Sequence, residues 1–217
     1  MEYQIRTMSI PREHPTKLQY LVQFPRGYEE YTNRFWPLVI YLHGIGERGD
    51  DIRKVLRFGP AKLMEEGKDL PCIVVSPQLP NGYFWFRESN ALVMLLEEVT
   101  KTYRVDKRRV HATGNSMGAF GALLLAAREP ERFASVVSVC GGVDYVDSLR
   151  LRDVPIWAFH GDQDPIIPVE ESLRLVRLVN QIGGKARLTV YPGVGHNCWD
   201  RAYRDPALWD WMLDQKK

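Results

Sequence analysis

The chain alternates short apolar runs with stretches whose apolar residues recur at helical spacing. Leu38-Val39-Ile40-Tyr41-Leu42 is almost continuously apolar, the pattern of a strand buried on both faces. Cys72 to Pro77 reads as another buried strand, and further strands are expected at Arg109 to Thr113, Ala134 to Cys140, Val154 to Phe159 and Ala186 to Tyr191. Between them, Leu92, Leu95, Leu96 and Val99 predict a helix over 90–103 with Ser89 as its N-cap. Leu173, Val176, Leu178 and Val179 predict another over 170–181, stopped by Gly183-Gly184. Further helical segments are expected near Pro60 to Glu66, over 119–128 and, rich in tryptophan, over 206–213. Strands and helices in this alternation predict an α/β fold, a mostly parallel sheet wrapped by helices. Leu18 to Phe24 alternates like a half-buried strand, and residues 1–9 supply its partner, an antiparallel N-terminal edge. No repeat or low-complexity linker interrupts the 217 residues, which predicts one domain over 1–217.

Composition adds mainly exclusions. Apolar residues make up 45% and charged residues 26%, ordinary for a globular chain with a core that needs no disulfide staples. With 29 basic and 27 acidic residues the net charge is +2, so no nucleic-acid partner is expected. The basic run Lys107-Arg108-Arg109, preceded by Asp106, reads as a solvated turn. No signal-peptide core opens the chain, and no run reaches the ~18 apolar residues of a membrane span, so a cytoplasmic location is expected. Cys72, Cys140 and Cys198 show no C-x-x-C spacing and predict neither a zinc site nor a disulfide framework.

The chemistry centres on Gly114-Asn115-Ser116-Met117-Gly118, set between a strand and a helix. A serine hydroxyl is a weak nucleophile unless it is exposed, held in one pose and paired with a base. A sharp strand-to-helix turn, the nucleophile elbow, exposes it, and glycines on both sides relieve the crowding. The following helix directs its free N–H groups and positive dipole end to where an oxyanion would form. The pentapeptide alone arises by chance in roughly one chain of this length in fifteen, so its context must decide.

That context is favourable. The run Leu38 to Leu42 empties into His43-Gly44-Ile45-Gly46-Glu47-Arg48-Gly49, where the backbone can approach a reacting carbonyl; the N–H of Ile45 is placed as one oxyanion donor. In hydrolases built on such an elbow the partners follow in the order serine, acid, histidine. Downstream of Ser116 the histidines are His160 and His196. His196 sits in a glycine-rich loop after the last strand and is placed as the base; His160 reads as structural. Of Asp162 and Asp164, Asp164 is placed as the acid and Asp162 as the turn-maker. His43 is read as shaping its loop, His111 as a strand residue and His14 as part of an N-terminal turn. The aromatic stretch Tyr83-Phe84-Trp85-Phe86 either lines a substrate pocket through Trp85 or packs locally.

These stretches together resemble a known family. Tyr41 to Asp50, Ser76-Pro77-Gln78, Tyr103 to Asp106 leading into the elbow, His160 to Val169 and Gly193 to Trp199 are similar to α/β-hydrolase esterases of the phospholipase/carboxylesterase type. Their branch of small "predicted peptidases", related to feruloyl esterases and polyhydroxybutyrate depolymerases, is closer still, and the resemblance covers roughly residues 35 to 213. It implies an α/β-hydrolase fold without a separate cap domain, with Ser116 as nucleophile, Asp164 as acid and His196 as base. The backbone N–H groups of Ile45 and Met117 would form the oxyanion hole, and Gln78 and Trp199 would lie beside the pocket. Asn115 departs from the apolar residue usual there, and Ala119 stands where a second glycine is common. The expected activity is hydrolysis of small or accessible carboxylic esters, without metal or organic cofactor. Feruloyl-type esters, thioesters or peptides on the same triad, and a catalytically silent binding module, are the competing readings. Oligomeric state is not specified by the sequence.

Overall fold

The computed structural model describes residues 3–10 and 16–217. His14, assigned above to an N-terminal turn, lies outside the described residues. Eight strands form one sheet: β1 (Tyr3–Ile10), β2 (Thr16–Gln23), β3 (Trp36–Leu42), β4 (Ile73–Gln78), β5 (Val105–Asn115), β6 (Ser135–Val139), β7 (Ile156–Gly161) and β8 (Ala186–Tyr191). Their order is β1-β2-β4-β3-β5-β6-β7-β8. The pairs β1–β2 and β2–β4 are antiparallel, and every pairing from β4 through β3 to β8 is parallel. This is the α/β-hydrolase architecture with the expected antiparallel edge.

The helices are α1 (Gly59–Glu65), α2 (Ser89–Thr102), α3 (Met117–Arg128), α4 (Tyr145–Arg150), α5 (Glu170–Gln181), α6 (Trp199–Arg204) and α7 (Pro206–Asp214). Strand β3 shows how they divide. Its side chains alternate, so Leu38, Ile40 and Leu42 enter a core shared with α2, α3 and α5, while Val39 and Tyr41 enter one shared with α1, α6 and α7. Every residue of β3 is buried, as its unbroken apolar run requires. The connection from β6 to β7 carries only the six-residue α4, too little for a cap over the sheet. Among the described residues, no helix is long and apolar enough to cross a membrane.

Two local expectations need correction. Ser89 does not cap α2: Glu88 occupies that position, and the Ser89 hydroxyl instead accepts from Arg128. Leu173, expected in the core, is half exposed, and α5 buries Ser172, Leu175 and Val179. The helix is turned so that the Ser172 hydroxyl lies 2.7 Å from His160 Nδ1 and 2.8 Å from the carbonyl of Gly141. Meeting buried polar partners on this face outweighs the burial of one more leucine.

Candidate active site

The elbow forms where β5 meets α3. Ser116 has φ 54° and ψ −124°, a region costly for a residue with a side chain. Its N–H donates to the Val139 carbonyl at 2.9 Å, tying the turn to the end of β6. The flanking glycines permit the close approach. A Cβ on Gly118 would lie 1.8 Å from the Leu42 carbonyl oxygen, and one on Gly114 would lie 2.3 Å from the Gly118 carbonyl oxygen. No other residue type fits there without moving β3 or α3.

Ser116, His196 and Asp164 are brought together from three widely separated segments. His196 Nε2 lies 2.9 Å from Ser116 Oγ, and His196 Nδ1 lies 2.7 Å from Asp164 Oδ2. The other oxygen, Asp164 Oδ1, accepts from the N–H groups of Ile166 and Ile167 at 2.8 and 2.9 Å. Burial raises the pKa of this carboxyl, but the bond from His196 and the two backbone N–H groups outweigh it and hold it below the ordinary carboxylate value. The anion therefore persists beside the imidazole, which fixes a proton on Nδ1 and leaves Nε2 to accept from the serine. Asp162 accepts from the Gly193 N–H at 2.7 Å, anchoring the loop that carries His196. Asp164 thus meets His196, while Asp162 bonds within the loop.

The loop after β3 is built from beneath. His43 Nε2 accepts from the Leu79 N–H at 3.0 Å, so its Nδ1 carries the proton and donates to the Gly44 carbonyl at 2.6 Å. Burial lowers the His43 pKa to about 4, so the ring is neutral near pH 7. Gln78 donates to the carbonyls of Glu47 and Asp51, both at 2.8 Å, and the Trp85 indole donates to the His43 carbonyl at 3.0 Å. Trp85 is 1% exposed. Gln78 and Trp85, expected beside the pocket, are buried here and bond to the carbonyls of this loop. Ile45 opens a short 3-10 turn and Met117 opens α3, first positions whose N–H groups have no preceding turn to accept from them.

Trp199, by contrast, stands at the site: its ring meets His196 edge-on at 5.3 Å and Phe58 at 5.4 Å. Asn115 is buried, and its side-chain oxygen accepts from the Tyr41 hydroxyl at 2.7 Å. The departure at this position joins β5 to β3 and does not line the cleft. Behind His196, the thiols of Cys140 and Cys198 lie 3.0 Å apart, a neighbour pair their spacing in sequence did not reveal. Cys140, Asp164 and His196 also gather three potential metal-ligand atoms within 4.8 Å, but the last two already bond each other. At the same end of the sheet a cavity of about 300 Å³ is lined by Phe86, Phe120, Leu124 and Val143, with Asp144 and Asp147 at its edge. Phe120 lies one helical turn beyond Ser116.

A serine in a strand-to-helix elbow, bonded to a histidine that is bonded to a carboxylate, invites comparison with known proteins. The Esterase family model, described as "Putative esterase", matches residues 90–215, more than half of the chain. The chain belongs to this family. It is similar to esterase FrsA of Photobacterium profundum, at 29% identity over 143 residues, which are 65% of this chain and 32% of that protein. Among solved structures, a thermostable esterase superposes with a TM-score of 0.84 at 30% identity, covering 99% of this chain and 63% of that one. A ferulic acid esterase superposes with a TM-score of 0.72 at 18% identity, covering 98% of this chain and 97% of that one, a likeness of fold. The chain spans less than two thirds of the length of FrsA and of the thermostable esterase.

Proposed function

We propose that the chain is a serine carboxylesterase acting through an acyl-enzyme at Ser116. The observation that carries the reading is the unbroken hydrogen-bonded line from Ser116 through His196 to the buried carboxylate of Asp164. In this reading His196 Nε2 takes the hydroxyl proton as Ser116 Oγ attacks the ester carbonyl carbon, and Asp164 stabilises the imidazolium that results. The N–H groups of Ile45 and Met117 receive the negative charge on the former carbonyl oxygen. His196 then protonates the departing alcohol. Water, deprotonated by the same nitrogen, attacks the acyl-serine and releases the carboxylic acid. No step calls on a metal or organic cofactor.

The short connections leave room for accessible esters. The nearby cavity lined by Phe86, Phe120, Leu124 and Val143, with Phe120 one helical turn beyond Ser116, supports a second reading, in which the preferred esters carry an aromatic or short apolar group.

The test is hydrolysis of p-nitrophenyl esters from acetate to decanoate, with methyl ferulate alongside, by the wild-type chain and by Ser116→Ala. Loss of at least ~1,000-fold in kcat is expected for the variant. Wild-type turnover that persists in Ser116→Ala would remove the serine from its role. A preference for methyl ferulate over the aliphatic series would select the aromatic reading.

A further inference from the structure

His160, which the sequence marks only as a buried residue at the end of β7, meets the site through the back of Asp164. Its side chain is fully buried. Nε2 lies 3.2 Å from Asp164 Oδ2, the same oxygen that accepts from His196, and 2.9 Å from the Ile167 carbonyl. Nδ1 lies 2.7 Å from the Ser172 hydroxyl on α5, which in turn lies 2.8 Å from the Gly141 carbonyl. The line of contacts thus runs from Ser116 at the elbow before α3 to Ser172 on α5, with one carboxylate oxygen between two imidazoles.

Counting protons settles what His160 does. Both neighbours of Nε2, a backbone carbonyl and a carboxylate oxygen, can only accept. A bare nitrogen there would set lone pairs against each other in a site without solvent. Nε2 therefore carries a hydrogen. The Ser172 hydroxyl has one hydrogen and two neighbours. It donates either to Nδ1 or to the Gly141 carbonyl. Both arrangements keep the Nε2–H.

We propose that His160 is a positioning residue, whose Nε2–H is shared between Asp164 Oδ2 and the Ile167 carbonyl and so fixes the carboxylate against His196. This inference rests on the proposed roles of Ser116, His196 and Asp164. The donor has a second effect. It draws charge from the oxygen that faces His196, so it weakens that oxygen's hold on the His196 Nδ1–H. The other titratable groups facing this pocket are Cys140 at the end of β6, Cys198 after His196, and Glu171 on α5 beside Ser172, where it pairs with Arg174. Bonding to Cys198 and burial hold the Cys140 thiol neutral. Removing the His160 donor should therefore shift the pH profile through His196 itself.

The first experiment compares His160→Leu with His160→Gln, whose side-chain amide can restore a donor to Asp164. In His160→Leu, kcat for a p-nitrophenyl ester should fall about ten- to a hundredfold with little change in KM. The acid limb of the kcat/KM profile should move to higher pH, and His160→Gln should recover much of both. An unmoved acid limb in a folded His160→Leu, or equal loss in the two variants, overturns the proposal. Should the leucine variant not fold, nitrogen NMR of the wild-type chain labelled at histidine decides instead. A proton on His160 Nε2 from pH 6 to 8 is expected, and an unprotonated Nε2 sinks the idea. That reading is taken on resting protein, so it stands apart from whether Ser116→Ala abolishes turnover.

Discussion

At Ser116 the backbone holds a conformation that only a stiff environment can impose. Its positive φ costs on the order of 1–3 kcal/mol, and the N–H bond to Val139 and the packed glycines around it hold the turn in place. Ser116→Gly should therefore raise stability by about 1 kcal/mol while eliminating the hydroxyl. Gly118→Ala should do the reverse, losing roughly 3 kcal/mol, because its methyl would sit 1.8 Å from the Leu42 oxygen and neither backbone can yield freely. Urea unfolding midpoints measure both, and a neutral Gly118→Ala would show that the elbow is looser than its geometry. At this scale Ser116, Asp164 and His196 could be read in the sequence because glycines and chain order mark them. The loop bonds of Gln78 and Trp85 were not legible for a physical reason: a polar or aromatic residue at a strand's end has the same signature whether it faces a ligand or holds up a loop. The second bond on Asp164 was not legible, since nothing local in His160-Gly161-Asp162-Gln163-Asp164 says that the ring turns back upon the carboxylate.

Among the elements, the segment from His43 to Asp51 is the most dependent on its neighbours. Gln78 at the end of β4 holds two of its carbonyls, and Trp85, ahead of α2, holds a third. Gln78→Leu leaves two carbonyls without their donor and lets Ile45 drift. If Ile45 is the oxyanion donor proposed above, kcat for a p-nitrophenyl ester should fall roughly ten- to a hundredfold while KM changes little, because such a donor acts on the transition state. A change confined to KM would instead return Gln78 to a role in binding substrate. Helix α5 shows the limit of periodicity as a guide. Leu173, Val176, Leu178 and Val179 predict the helix but misplace its buried side, because the rotation is decided by Ser172, whose buried hydroxyl bonds His160. A hydropathy pattern gives such a hydroxyl no weight.

Across the whole molecule the most general consequence is a dependence on pH. His43 and His111 are both fully buried, and burial lowers their pKa values to about 4 and about 3. In the unfolded chain both titrate near 6.5. As pH falls below 6.5 the unfolded state takes up protons that the folded state refuses, so stability declines until the folded pKa values are reached. For His43 the loss down to pH 4 is roughly 3 kcal/mol. Asp164, whose carboxyl is held below 3.8, adds its own loss only as pH drops through that lower range. His111→Leu should flatten the fall of melting temperature between pH 6.5 and 4; an unchanged slope would place the acid sensitivity elsewhere. The layered plan was legible in the sequence from alternating runs, because strands buried on both faces look alike everywhere. Their order across the sheet was not, since β3 and β4 are both buried along their whole length and neither announces which lies nearer the centre.

The bond between Ser116 and His196 spans 80 positions of the chain. A ribosome making the protein therefore completes the elbow, with β3 and β5 able to pair, long before the residue that would activate the serine has been joined. Throughout that interval the nascent chain carries a shaped but idle hydroxyl. Chemistry that depends on this bond starts only once the folding chain lays β8 along the margin of the sheet, so reactivity comes after assembly and not during it.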